Sequence, residues 1–176
     1  DFAYKLGEGV NDAVKSFTLM FLQMWNLDEK HYDITRYLEY NTHPVESSGY
    51  VIPYGDCPLD DDKLGEHVYM DMLNRAHKYV HIMTPYLIID NDMCLALENA
   101  AIKGVDVRII VPHIPDKKIV FEMTKTFYER LMKAGVKIYE YEKGFVHAKC
   151  YLVDDEIGMV GTINMDYRSL VHHFEN

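Results

Sequence analysis

Hydrophobic positions recur along this chain with two periods, one helical and one alternating, and the change from one to the other falls at turn residues. Val14, Phe17, Met20, Phe21, Met24 and Trp25 follow helical spacing, and Asn11 or Asp12 can cap the start. Leu19 and Leu22 widen the stripe, whose ordinary meaning is core packing. A membrane-surface helix would want a basic polar face, and Lys15 supplies little of one. Residues 26–48 mix charge, aromatics and polar groups without a period, as a long functional or disordered loop does. His31 and His43 lie there without a second ligand at helical or hairpin spacing and read as solvated side chains.

From Gly49 the pattern becomes regular. Tyr50 to Pro53 reads as a short strand, and the run Asp60-Asp61-Asp62 as the start of a helix over about residues 63–78, its carboxylates offsetting the helix dipole. Val80 to Thr84 is a strand stopped by Pro85. Asp90 or Asn91 caps a helix that runs through Lys103 and ends at Gly104. Val105 to Val111 is a strand closed by Pro112, one helix spans about residues 117–133 before Ala134-Gly135, and Val136 to Tyr141 is the next strand. Lys149 to Val153 and Ile157 to Val160, joined through Asp154-Asp155-Glu156, spell a hairpin. Tyr86 falls just past a strand end, where ligands of open α/β sheets gather, although covering the core is the commoner task of such a residue.

Strands alternating with helices through short turns predict an α/β sandwich with a mixed, largely parallel sheet and right-handed crossovers. Residues 1–48 read as a helix and connecting segment, and residues 49–176 as one domain. There is no internal repeat and no low-complexity tract.

Composition adds limits. With 176 residues, 48% apolar and 26% charged, the chain is globular and can bury a sizeable core. Its net charge of −10 argues against gripping nucleic acid along a broad basic face. The same charge is awkward for binding anionic lipid, against which Lys117, Lys118 and Lys125 are local exceptions. No run approaches about eighteen uncharged apolar residues, so no membrane span is predicted in this stretch. Cys57, Cys94 and Cys150 are odd in number and lack Cys-x-x-Cys spacing, which suits buried thiols in a reducing compartment.

The chemistry gathers in Gly144-Phe145-Val146-His147-Ala148-Lys149 and the hairpin that follows. On a strand His147, Lys149 and Tyr151 share one face, with Ala148, Cys150 and Leu152 on the other. Imidazole beside ammonium suits a phosphoryl group: one attacks phosphorus or carries a proton, the other neutralises non-bridging oxygens. Asn164 and Thr162 could add an amide and a hydroxyl donor to the same oxygens if the chain turns back past the mouth. Asp154 has the opposite parity to His147 and is expected to brace the turn unless a bulge intervenes. Parity likewise turns Cys150 away from a catalytic role.

His147-x-Lys149-(x)4-Asp154-(x)6-Gly161-Thr162-x-Asn164 resembles the signature of the phospholipase D superfamily. The run Gly161-Thr162-Ile163-Asn164-Met165-Asp166-Tyr167-Arg168-Ser169-Leu170 is most similar to bacterial cardiolipin synthases. The resemblance implies a phospholipase D-like fold in which His147, Lys149 and Asp154 are catalytic and Thr162 and Asn164 support the phosphate. It further implies two motifs per site, one histidine as nucleophile and the other as general acid and base, with a phosphohistidine between them. The implied partners are phosphatidylglycerol at a membrane surface and a missing N-terminal half bearing the first motif, or a second copy. No metal, organic cofactor or nucleic acid is implied. This chain would then be a C-terminal half, its own segment soluble and the full-length protein at the bacterial cell membrane. Beyond the glycine element the family carries an acidic residue that fixes the histidine tautomer, and Glu175 is the choice here. An extended run through Val171-His172-His173-Phe174-Glu175-Asn176 puts His173 and Glu175 on one face and turns the adjacent histidines apart, which argues against a metal pair. Two other classes stay open: a self-associating hydrolase of the superfamily, whether phospholipase or nuclease, and a non-catalytic lipid-binding domain.

Overall fold

Val80 and Ile82, Val107, Ile109 and Val111, and Tyr151 and Val153 occupy alternate positions in three apolar runs. In the computed structural model all of them are buried on one face of a five-stranded sheet. The structure describes residues 4–5, 10–26, 35–38, 48–58 and 62–176. It separates into two units, Asp1–Gly55 and Asp56–Asn176.

In the first unit β1 (Tyr4–Lys5) pairs antiparallel with β2 (Tyr50–Val51). Helix α1 (Val10–Trp25) starts one residue before Asn11, so neither Asn11 nor Asp12 stands ahead of it as a cap. Ala13 and Leu22 are buried, whereas Phe17, Phe21, Met24 and Trp25 are exposed, and Phe21 stacks on Trp25 with ring centroids 5.7 Å apart. The apolar stripe expected to pack in a core is therefore mostly open. Thr35–Tyr37 form a single 3-10 turn; His31 and His43 lie outside the described residues, as do Asp60 and Asp61.

The second unit runs α2 (Leu64–Arg75), β3 (Tyr79–Met83), β4 (Leu87–Ile88), α3 (Asn91–Ile102), β5 (Asp106–Pro112), α4 (Lys118–Thr126) and α5 (Tyr128–Lys133). It continues through β6 (Lys137–Tyr141), β7 (Cys150–Val153), β8 (Ile157–Val160), β9 (Met165–Asp166) and α6 (Tyr167–Val171). The main sheet has the order β6-β5-β3-β7-β8. β3, β5 and β6 are parallel neighbours, β7 lies antiparallel to β3, and β8 antiparallel to β7. Four of the five strands thus run one way and β7 alone opposes them. This is the expected α/β fold with a mixed, largely parallel sheet flanked by helices.

Local chemistry explains most boundaries. The Asp90 carboxylate accepts from the Met93 N–H at 2.9 Å and caps α3, while Gly104 and Gly135, at φ of +96° and +104°, end α3 and α5 in the left-handed conformation glycine tolerates. The helix expected over 117–133 is instead two. Thr126 Oγ1 donates to the Met123 carbonyl at 2.6 Å and Thr124 Oγ1 accepts from the Leu87 N–H at 3.2 Å. Side-chain bonding of this kind competes with the helical ladder, and Phe127 closes the break with an i to i−3 bond to Thr124. Among the described residues no helix is long and apolar enough to cross a membrane.

Candidate active site

The site is built where strands end. Met83, the last residue of β3, pairs with Cys150, the first of β7, so the segment before β7 lies beyond the carboxyl end of β3. That segment holds His147. The chain reaches it through the turn at Gly144, whose φ of +157° is nearly extended, and Phe145 stacks on the imidazole at 5.7 Å between centroids. His147 is exposed. It stands ahead of the strand proper, a correction to the expectation that His147, Lys149 and Tyr151 line one strand face. Lys149 and Tyr151 do share the inner face, both buried.

Lys149 is the unusual group. It is 8% exposed, and its ammonium donates to the His147 carbonyl at 2.6 Å, which ties the two motif residues together through the backbone. Burial pushes the Lys149 pKa down, and the nearby carboxylates of Glu175 and Asp166 oppose that shift. An ammonium has three donors, and among the described residues only one is engaged.

Asp154 lies at the other end of β7. Its carboxylate accepts from the backbone N–H groups of His77 at 2.7 Å, Lys78 at 2.9 Å and Tyr79 at 2.7 Å. These bonds hold its pKa below the ordinary carboxylate value. Asp154 and Asp155 take left-handed φ angles of 55° and 61° to make the turn. Asp154 is thus at the opposite end of β7 from His147, and what it braces is the start of β3 as well as its own hairpin.

The glycine element forms a wall of the mouth. The Gly161 N–H donates to the Lys149 carbonyl at 3.2 Å, extending the ladder between β7 and β8. A Cβ at Gly161 would collide with the Asn176 carbonyl oxygen, so this position has no room for a side chain. The Thr162 hydroxyl donates to the Glu175 carboxylate and accepts from the Asn176 N–H. Glu175 itself is nearly buried, with its second oxygen 3.5 Å from His173 Nδ1, and its backbone bridges antiparallel to Asp56. The structure therefore joins Glu175 to Thr162 and His173, not to His147 as the tautomer expectation had it; the carboxylate is already engaged by neighbours its own short bridge brings close. His172 meets the Tyr167 ring edge-on, so the two adjacent histidines do turn to different surroundings.

Asn164 Nδ2 donates to Ser169 Oγ at 3.0 Å, while its Oδ1 is buried without a partner among the described residues. Rotating the amide would let the Ser169 hydroxyl donate to Oδ1 and leave Nδ2 as the open group, a donor suited to an anionic oxygen. Three supporting residues had no expected role. Buried Tyr69 on α2 donates to the Ile163 carbonyl at 2.6 Å and packs on Tyr151 at 4.3 Å, clamping the glycine element to β7. Asp166 caps α6 by accepting from Ser169 N–H at 2.8 Å. Asp56 accepts from the Gly65 N–H at 2.8 Å and so ties the Glu175 bridge to α2. Tyr86, singled out for its place past a strand end, donates to Asp116 at 2.7 Å; burial and that carboxylate push its pKa up to about 12. Of the thiols Cys94 is buried, with its pKa raised by that burial, and Cys57 and Cys150 are half-buried.

An α/β domain with this strand order and with histidine, lysine and a glycine element gathered at one sheet end is a domain of the phospholipase D superfamily. Residues 69–176 match the family described as "Cardiolipin synthase, PLD-like domain", and the chain belongs to that family. The chain is 38% identical over 165 residues to a cardiolipin synthase of Alkalihalophilus pseudofirmus and 40% identical over 165 residues to cardiolipin synthase 2 of Bacillus anthracis. Each match takes in 93% of this chain and 33% or 32% of the relative. An uncharacterized protein of Streptococcus mutans is 58% identical over 164 residues, 93% of this chain and 36% of that one. The chain thus spans about a third of the length of these relatives. Among solved structures, Nuc of Salmonella typhimurium, a phospholipase D family member, shares the fold at a TM-score of 0.54 and 18% identity, over 62% of this chain and 70% of that one.

Proposed function

We propose that this chain is the C-terminal half of a cardiolipin synthase-type phosphatidyltransferase, with His147 as the general acid and base. The observation that carries the reading is the buried Lys149 ammonium, tied to the His147 carbonyl and, among the described residues, left with unfilled donors at the strand end where the imidazole is exposed. A cation held there without a full partner set favours an anion, and the two non-bridging oxygens of a phosphodiester fit it. Asn164 supports the same oxygens. Thr162 and Glu175 hold the wall against which the phosphate would rest, and Asp154 acts through the strands it joins, as a positioning residue.

In the first step a nucleophilic histidine of the other motif attacks the phosphorus of phosphatidylglycerol. The P–O bond to glycerol breaks, and His147 gives its proton to the departing glycerol oxygen. In the second step neutral His147 takes the proton of a hydroxyl on a second phosphatidylglycerol, whose oxygen attacks phosphorus as the P–N bond breaks, giving cardiolipin. The other histidine comes from the N-terminal half of the same chain or from a second copy. The lipid product of the intact enzyme on phosphatidylglycerol tests this. Cardiolipin is expected, with His147→Ala lowering its rate by roughly 10²- to 10⁴-fold. Phosphatidic acid without cardiolipin would select a hydrolase, and retained synthesis in His147→Ala would leave this half non-catalytic. A trapped phosphoenzyme labelled on His147 would exchange the roles of the two histidines.

A further inference from the structure

An enzyme with a net charge of −10 that draws an anionic lipid from a bilayer needs a face that bilayer will accept. α4 supplies one. Ile114, Ile119 and Met123 are 52%, 79% and 47% exposed, although each is a side chain that ordinary folding would bury. Lys118, Ile119, Glu122, Met123 and Thr126 line one shallow apolar depression at helical spacing, while Thr124 faces inward and is buried. Lys117 and Lys118 flank the helix start. Among the described residues neither meets a carboxylate within ion-pair distance, because Asp116 is engaged by Tyr86 and Glu122 by Lys125 at 3.1 Å.

The position of this face matters as much as its composition. α4 follows the carboxyl end of β5, which is parallel to β3, so its first turn and His147 lie at the same end of the sheet. Two hydrogen bonds tie it there: Tyr86, just past β3, to Asp116, and the Leu87 N–H to Thr124. We propose that the α4 face is a membrane-docking surface for an anionic bilayer. Ile114, Ile119 and Met123 enter the boundary between headgroups and acyl chains, Lys117 and Lys118 meet lipid phosphates, and the acidic remainder is repelled, which turns the mouth of the sheet toward the lipid. The inference rests on the reading that the substrate is a membrane phospholipid.

Flotation of the 176-residue chain with phosphatidylcholine vesicles, with and without phosphatidylglycerol, at low and high salt, tests it. The chain is expected to float with the anionic vesicles and to be released by salt. Lys117→Ala with Lys118→Ala lowers partitioning about thirtyfold, and Ile119→Ser with Met123→Ser by more than about tenfold. Activity is read separately in the intact enzyme: variants of the chain that float normally while His147→Ala in the intact enzyme still makes cardiolipin would sink the transferase reading and leave the docking surface standing. Circular dichroism checks that the variants, all at exposed positions, stay folded. No flotation of the unaltered chain, equal flotation with neutral vesicles, or variants that float undiminished would each overturn the docking surface. So would a dimer in gel filtration that Ile119→Ser dissolves, since a second copy would then be the occupant.

Discussion

Lys149 sets stability against chemistry within one side chain. Burying an ammonium that has one hydrogen bond among the described residues costs folding free energy, and on the proposed function the fold bears that cost because the same group would meet the phosphate. Lys149→Met is therefore expected to hold or raise the thermal midpoint while activity of the intact enzyme falls about 10²- to 10³-fold. Since burial lowers the folded pKa below the unfolded value of 10.5, the cost is full at neutral pH and disappears as pH rises past the unfolded value. The stability difference between variant and unaltered protein should shrink accordingly in melts run at rising pH. The expected strand face holds for Lys149 and Tyr151, because Lys149 directly precedes β7, but not for His147, which lies too far ahead of the strand. The partner of Glu175 was not legible: which imidazole or hydroxyl a carboxylate meets depends on the bridge to Asp56, more than a hundred residues earlier in the chain.

β7 is the element that joins the site to the sheet, with Lys149 just before it and Asp154 just after. Asp154→Ala removes the acceptor for three backbone N–H groups and should lower the thermal midpoint at neutral pH. The folded pKa of Asp154 lies below its unfolded 3.8, so its contribution is present above that value and is lost as pH falls through the folded pKa. Thermal melts of the two proteins should converge in that acid range, and a gap that persists there would assign the loss to turn geometry instead. Asp154 was expected to brace its turn, which it does, but its reach to His77, 77 residues back, was not foreseen. The ends near Pro85, Gly104, Pro112 and Gly135 came through within a residue or two because those residues mark them, whereas α2 stops at Arg75, three residues before the expected end, and the short β4, β9 and α6 were not foreseen. The break at Phe127 did not, since a threonine that bonds its own helix carries the same apolar period as one that does not.

For the whole molecule, the proposed function makes the governing number how many copies of the His147 motif or its counterpart one particle holds. The mass of the chain in solution, by light scattering during gel filtration, decides it. A monomer is expected to make no cardiolipin, since it holds one motif, and a stable dimer could complete a two-histidine site. The α/β architecture was legible from the alternation of elements, while the open apolar stripe of α1 was not, because period alone does not say what lies against it.

The strand order has a further consequence for how the chain is made. β3, β5 and β6 can pair in the order in which a ribosome delivers them, but the second edge of β3 has no neighbour until β7 emerges. For that interval Val80 and Ile82 sit on an unpaired template that any extended segment could join, so a nascent chain stalled before His147 carries an aggregation hazard that the finished one has sealed. The strand that follows His147 and Lys149 is also the stopper.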